Sequence, residues 1–127
     1  MMDPKYVWNI AEVVKDNPIR EDQKLTRTFL VDVKHATALV VQAQPQTEPF
    51  IHIHQDHDEF LYILEGSGWA YIGEKKLEVK PGDLVYCPTG VDHGFFIPVK
   101  GVRLSIYGPP FDCTHPDRIV PSGKDLK

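Results

Sequence analysis

Half of the chain's six histidines lie in one short stretch, HIHQDHDEF, at residues 52–60. The apolar residues around His52 and His54 indicate a β-strand, on which alternate side chains point to the same face. Two imidazoles that face the interior of a fold are unfavourable unless something binds them. A divalent metal ion removes that penalty, because neutral imidazole nitrogen is a good ligand for borderline metals. The stretch therefore predicts a metal site.

Two further residues complete a ligand set. We expect residues 55–58 to form a turn, so that Glu59, at the start of the next strand, returns beside the two imidazoles. His93 follows a Pro-Thr-Gly turn in the stretch GDLVYCPTGVDHGFF, residues 82–96. Three histidines and one glutamate suit one divalent ion of iron, manganese, nickel, zinc or copper. Such a set leaves one or two positions open for water or substrate.

The elements that must position these ligands are short strands. Eleven prolines and nine glycines divide the 127 residues into short segments rich in β-branched and aromatic residues. This pattern predicts one all-β domain, a sandwich or barrel. We also predict a short N-terminal helix, capped by Asn9 and ended by Pro18, and an irregular C-terminal tail from Pro109. The predicted strands are residues 28–33, 36–42, 50–54, 59–64, 68–72, 76–79, 84–87, 93–97 and 102–107.

The two ligand-bearing stretches resemble the two motifs of the cupin superfamily. The first motif of that family reads G-x5-H-x-H-x3,4-E-x6-G, and this chain has His52-x-His54, four residues, Glu59, six residues and Gly66. The second motif reads G-x5-P-x-G-x2-H-x3-N, and this chain has Gly82, Pro88-x-Gly90 and His93 at the same spacing. Two family positions differ, because Gln46 stands where the first motif begins with glycine and Ile97 where the second ends with asparagine.

The resemblance implies a small single-domain cupin. Its fold would be a double-stranded β-helix, or jelly-roll, barrel that spans residues 1–127 as one domain, with a core barrel at about residues 25–108. Carried over residue by residue, it implies that His52, His54, Glu59 and His93 bind one divalent metal inside the barrel, with Fe2+ as the leading candidate. The alternative is a polar network without a metal.

The other polar residues of the first stretch fall in the variable gap of the motif. We predict that His57 lies on the turn at the edge of the site, where it is our candidate catalytic acid or base. A solvated turn histidine is the alternative. Asp56 and Asp58 are interpreted as turn residues.

Alternation along the strands predicts the walls of a substrate pocket. Leu61 shares a face with Glu59, and Phe95 and Ile97 share a face with His93. Arg103 is the candidate anion-binding residue. On its strand, an inward Arg103 would accompany Ser105 and Tyr107, whereas an outward Arg103 would leave the apolar alternate residues as core. The apolar set favours the outward orientation.

An open metal site favours an enzyme that acts on a small organic acid or an aromatic substrate. A metal-dependent dioxygenase is the leading reaction, with a metal-dependent isomerase or lyase as an alternative. A non-catalytic module that binds or senses a small molecule or sugar is the second class, and a structural barrel the third. The fold hosts many unrelated activities, so the reaction is not decided by the motifs.

Charge and composition limit the partners. The net charge of −4 and the lack of a long basic run argue against nucleic acid and anionic membranes. We find neither an apolar membrane span nor a secretory signal, and we expect a cytoplasmic protein. Cys87 and Cys113 are interpreted as packing residues with reduced thiols. We also expect a homodimer, formed through the barrel face or an edge at residues 25–33.

Overall fold

The computed structural model describes residues 5–54, 56–110 and 120–121 of the chain. Its elements are one helix and ten strands. They are α1 (Ile10–Asp16), β1 (Leu25–Asp32), β2 (Thr37–Ala43), β3 (Phe50–Ile53), β4 (Asp58–Glu65), β5 (Gly68–Ile72), β6 (Lys75–Val79), β7 (Leu84–Cys87), β8 (His93–Phe96), β9 (Gly101–Gly108) and β10 (Val120–Pro121).

The strands form two antiparallel sheets of five strands each. The first sheet has the order β1-β2-β9-β4-β7, and the second has the order β10-β3-β8-β5-β6. From β2 to β5 and from β6 to β10, successive strands alternate between the two sheets, as in a jelly roll. The predicted all-β class and the double-stranded β-helix architecture are confirmed.

Side chains on each strand alternate between the inner and outer face of the sheet, and the inner ones form the core between the two sheets. On β4, Leu61 and Ile63 point inward and are buried, whereas Phe60 and Tyr62 point outward and are exposed. Most inward apolar residues of the two sheets join into one cluster, because each sheet needs an apolar face to pack against, and Leu39, Val41 and Tyr107 form a second cluster. The members of the first cluster are Leu61, Ile63, Ala70, Val79, Val85, Cys87, Phe95 and Ile97.

The predicted N-terminal helix is present as α1. Its cap is Asn9, whose side-chain oxygen accepts a hydrogen bond from the Glu12 N–H at 3.0 Å. The helix ends at Asp16, two residues before Pro18, as the inability of proline to continue a helix requires. Its residues Ile10, Val13 and Val14 are half-buried on the outside of the first sheet, where β2 lies closest.

The C-terminal region is described only in part. Val120 and Pro121 form β10, which pairs with Ile53 and His52 of β3. Cys113, His115 and most of the predicted irregular tail lie outside the described residues. Among the described residues, no helix has the length and apolar character that a membrane crossing needs.

Candidate metal centre

Three strands bring the four predicted ligands together. His52 lies on β3 directly opposite His93 of β8, and His54 follows the last residue of β3. Glu59 reaches the same place from the first sheet, as the second residue of β4. One potential ligand atom from each of His52, His54, Glu59 and His93 lies within 4.8 Å of the others. Metal–ligand bonds of about 2.0–2.2 Å put opposite ligands about 4.2 Å apart, so this spacing fits a single ion.

The two turns that carry these ligands are tied to each other. The carboxylate of Asp58 accepts hydrogen bonds from the Thr89 N–H at 2.9 Å, the Thr89 hydroxyl at 3.1 Å and the Tyr86 hydroxyl at 3.3 Å. The Gly90 N–H donates to the His54 carbonyl at 2.9 Å. The bond from the Thr89 backbone is the main reason that the pKa of Asp58 is lowered. Asp58 thus joins the turn before Glu59 to the turn before His93.

Glu59 is held in its ionised form. Although burial alone would raise its pKa, the closeness of His54 and His93 and the Ser105 hydroxyl lower it well below the usual range. Ser105 donates to Glu59 Oε2 at 2.5 Å, and both side chains are buried. The other oxygen, Oε1, lies 3.3 Å from His93 Nε2 and 3.5 Å from His54 Nε2. One oxygen is therefore fixed by the protein and the other faces the imidazoles.

The three imidazoles form a compact group, and the environment of His52 favours its neutral form. The ring centroids of His52 lie 4.9 Å from His54 and 4.5 Å from His93. Burial, followed by the nearness of His93 and His54, lowers the pKa of His52 from 6.5 to about 4. His52 is consequently uncharged near neutral pH, which is the form that binds a metal.

His93 gives the clearest sign that the group fits a cation. Its Nδ1 lies 3.2 Å from the Val91 carbonyl, and the tautomer with its proton on Nδ1 donates to that carbonyl and keeps a lone pair on Nε2. Nε2 is buried and makes no hydrogen bond, yet the Glu59 carboxylate is only 3.3 Å away. In that tautomer two acceptors face each other, and a positive charge between them removes their repulsion. The donor set therefore fits a divalent metal.

His57 lies beside the four-residue cluster and not in it. It is only 2% exposed, so the alternative of a solvated turn histidine is wrong. Its ring centroid lies 5.4 Å from that of His54 and 5.0 Å from that of Tyr107. The catalytic role of His57 stays a prediction.

A cavity of about 50 Å³ opens beside the ligands. Of the three apolar residues predicted for the pocket, Leu61 and Phe95 line this cavity, whereas Ile97 does not and lies in the hydrophobic core. Arg103 also lines it. The residues along its wall are Leu25, Arg27, Val41, His52, Glu59, Leu61, His93, Phe95, Arg103, Ser105 and Tyr107.

The favoured outward orientation of Arg103 is wrong. Arg103, Ser105 and Tyr107 face the interior, and the apolar alternate residues of β9 face outward. Two contacts explain this result. On the inner face, Ser105 donates a hydrogen bond to the Glu59 carboxylate. On the outer face, Val102 lines a groove beside α1. Ser105 and Tyr107 were thus missed as site residues, and their alternation with Arg103 was the available signal.

The two positions that depart from the cupin motifs contact each other. The Gln46 N–H donates to the Ile97 carbonyl at 3.0 Å, and the Ile97 N–H donates to Gln46 Oε1 at 2.6 Å. These bonds join the segment before β3 to the residue that follows β8. The departures therefore leave the ligand-bearing strands in register.

Comparison with known proteins supports the same architecture. A family model described as a cupin domain matches residues 39–106. Over 122 residues the chain is 28% identical to an uncharacterized protein of Aquifex aeolicus (strain VF5), a match that covers 88% of this chain and 91% of that protein. Over 67 residues it is 36% identical to acireductone dioxygenase of Xenopus tropicalis. This match covers 46% of this chain and 37% of that enzyme.

A solved structure shows the fold. It is that of an uncharacterized conserved protein with a double-stranded β-helix domain from Klebsiella pneumoniae subsp. pneumoniae MGH 78578. The TM-score is 0.73 at 17% sequence identity, and the match covers 95% of this chain and all of that one. At this identity the likeness concerns the fold alone.

Proposed function

This chain belongs to the cupin family, and from that premise we propose that it is a metal-dependent enzyme, of dioxygenase type, that acts on a small organic acid or an aromatic compound. The observation that supports a metal is the cluster of His52, His54, Glu59 and His93. Three of these residues also line the cavity. A ligand in the cavity would therefore lie against the metal-binding atoms.

Different residues of the chain would have different roles in such a site. The three histidines and Glu59 would hold the metal, which when bound supplies either oxygen activation or polarisation of a carbonyl group. Tyr107 lines the cavity, and burial together with the Glu59 carboxylate raises its pKa, so its hydroxyl keeps its proton. His57 packs against the Tyr107 ring behind the cavity wall. We propose that His57 accepts or returns a proton at the edge of the site.

The dioxygenase reaction is supported by one comparison. The aligned acireductone dioxygenase is named for oxygen chemistry, and 36% identity over 67 residues is shared with it. The match spans little more than a third of that enzyme, so its substrate is not carried over. We propose iron(II) as the metal, because dioxygen chemistry at histidine and carboxylate ligands is typical of non-haem iron.

Elemental analysis followed by oxygen uptake tests this proposal. Protein purified without chelator or nickel resin should contain about one iron per chain, and the His52→Ala and Glu59→Ala variants should lose it. His35→Ala is the matched control, because His35 is exposed. Oxygen consumption with organic acids or catechols would then support a dioxygenase. Zinc, nickel or manganese without oxygen uptake would favour an isomerase or lyase, and saturable binding without turnover a binding module. A wild type without metal after anaerobic reconstitution would overturn the proposal.

We also propose that the chain forms a homodimer through β1. Within the described residues β1 pairs only with β2, and it exposes Leu25 and Phe29. An edge strand of this kind accepts a second copy of itself by antiparallel pairing around a two-fold axis. A charged residue at the edge opposes such pairing, so Phe29→Lys should give a monomer in light scattering.

A second variant separates this interface from the other apolar surface. The outer face of β4, β7 and β9 exposes five apolar residues, which are Phe60, Tyr62, Leu84, Tyr86 and Ile106. Leu84→Lys should leave the dimer intact. If Leu84→Lys gives the monomer and Phe29→Lys does not, the interface is this outer face. A wild type with the 14.5 kDa mass of one chain would contradict the dimer.

The compartment is a further proposal. Cys87 is a buried free cysteine, and burial is the main reason that the pKa of its thiol is raised. A protonated, buried thiol suits a reducing compartment. We propose the cytoplasm, and cell fractionation would test it.

A further inference from the structure

Arg103 extends from β9 into the cavity beside the metal ligands. Its guanidinium carbon lies 5.2 Å from the centroid of the Phe95 ring, on the opposite sheet. Its Nε is buried and has no hydrogen-bond partner among the described residues. Leaving a buried charged donor unpaired is unfavourable, whereas the ring satisfies only one face of the guanidinium. The side chain therefore has unused donor capacity at the cavity.

The cavity has more positive than negative charge along its wall. Arg27 and Arg103 both line it, and the carboxylate among the lining residues is that of Glu59. That carboxylate is already bound by Ser105 and faces His54 and His93. Burial lowers the pKa of Arg103, Glu59 opposes this shift and Arg27 adds to it, but an arginine remains charged in proteins. A bound divalent metal would increase the excess of positive charge, which an anionic ligand would neutralise.

The size of the cavity limits what this anion can be. The cavity has a volume of about 50 Å³. One ordered water needs about 10–15 Å³, so the cavity has room for only a few water-sized groups. A space this small favours a small acid with a few carbon atoms over a substituted aromatic ring.

We propose that Arg103 receives the carboxylate of a small 2-oxo or 2-hydroxy acid, whose second oxygen faces the metal ligands. This assignment rests on the proposed metal site and selects the organic acid over the aromatic compound as its ligand. Arginine suits the task, since its fork of N–H donors matches a carboxylate in a way that a point charge does not. Arg103 is thus the residue that determines specificity.

Calorimetric titration with two nearly isosteric ligands tests the assignment. Protein reconstituted anaerobically with iron(II) should bind pyruvate at least about 10-fold more tightly than methyl pyruvate, which lacks the charge. Arg103→Gln should weaken pyruvate binding by about 10- to 100-fold and remove that preference, while iron content stays at the wild-type level. Arg103→Lys should restore part of the affinity. Arg20→Gln is the matched control, because the Arg20 side chain pairs with Asp22 at the surface.

Several results would overturn the assignment. One is an unchanged preference for pyruvate in Arg103→Gln. Another is a wild type that binds neither ligand, or binds both equally. Benzoate binding as tight as that of pyruvate would overturn the choice of a small acid. A wild type that takes up no metal would contradict the proposed function and not the role of Arg103. In that case, the preference of the metal-free protein for pyruvate over methyl pyruvate would still decide the role of Arg103.

Discussion

Ser105 and Glu59 form a buried pair, in which the Ser105 hydroxyl donates to Glu59 Oε2 at 2.5 Å. The two residues lie 46 positions apart in sequence and on adjacent strands, β9 and β4. The hydroxyl takes one carboxylate oxygen and leaves the other, Oε1, beside His54 and His93. Ser105 therefore orients Glu59 as a ligand while it keeps a buried charge satisfied.

Removing this hydroxyl should weaken metal binding. Ser105→Ala leaves Glu59 Oε2 without its donor, and partners of metal ligands typically contribute 10- to 100-fold to metal affinity. We expect a loss in that range in a competition titration against a chromophoric chelator. Ser67→Ala is the control, because Ser67 is exposed on a turn. Equal affinities for the two variants would show that Ser105 does not orient Glu59.

The link between the two ligand-bearing turns predicts a role for Asp58. Asp58→Ala removes the acceptor for Thr89 and Tyr86, so the turns before Glu59 and His93 stay joined by a weaker set of bonds that includes the one from the Gly90 N–H to the His54 carbonyl. We expect metal affinity to fall by about 10-fold in the same competition titration. Asp58→Asn keeps an acceptor oxygen and should recover most of the affinity. If alanine and asparagine behave alike, the negative charge matters and the connection between the turns does not.

Much of the fold follows from local pattern. The bounds predicted for β5 and β7 are those observed, and the Asn9 cap and the end of α1 before Pro18 were predicted from local signals. These features depend on neighbours within a few residues, where propensity and turn chemistry act directly.

The orientation of β9 could not be predicted in the same way. Its alternate residues form two plausible inner faces, one with Arg103, Ser105 and Tyr107 and one apolar. The choice depends on Glu59 and α1, which are distant in sequence. The contact between Gln46 and Ile97 is likewise a long-range one, and each residue alone indicated only a departure from a motif.

Close contact at Gly68 predicts a strong effect on stability. A Cβ at this position would lie 2.2 Å from the Phe96 carbonyl oxygen, which belongs to the neighbouring strand β8 and cannot move freely. We expect Gly68→Ala to reduce the free energy of unfolding by about 1–3 kcal/mol or more, as overpacking does. Gly101→Ala is the matched control, because its Cβ would lie at an ordinary 3.5 Å from the Glu65 carbonyl oxygen. Urea denaturation measures both, and equal losses would contradict the predicted clash.

The lowered pKa of His52 predicts how the metal-free protein responds to acid. In the folded protein the pKa of His52 is about 4, and its ordinary value is 6.5. Between these values the unfolded chain binds more protons than the folded chain, so stability falls as the pH falls. The stabilisation is fully present above pH 6.5 and is lost progressively toward pH 4. The expected slope from this one group is at most about 1.4 kcal/mol per pH unit.

Chelator-treated protein tests this response by urea denaturation between pH 7 and pH 4. His52→Asn removes the titrating group, so its stability should depend less steeply on pH than that of the wild type. His35→Asn, at an exposed position, should follow the wild type. Metal-loaded wild type should keep its stability to lower pH, because bound metal competes with protons for the imidazoles. Parallel profiles for the metal-free wild type and His52→Asn would show that His52 is not held neutral by its burial and its neighbours.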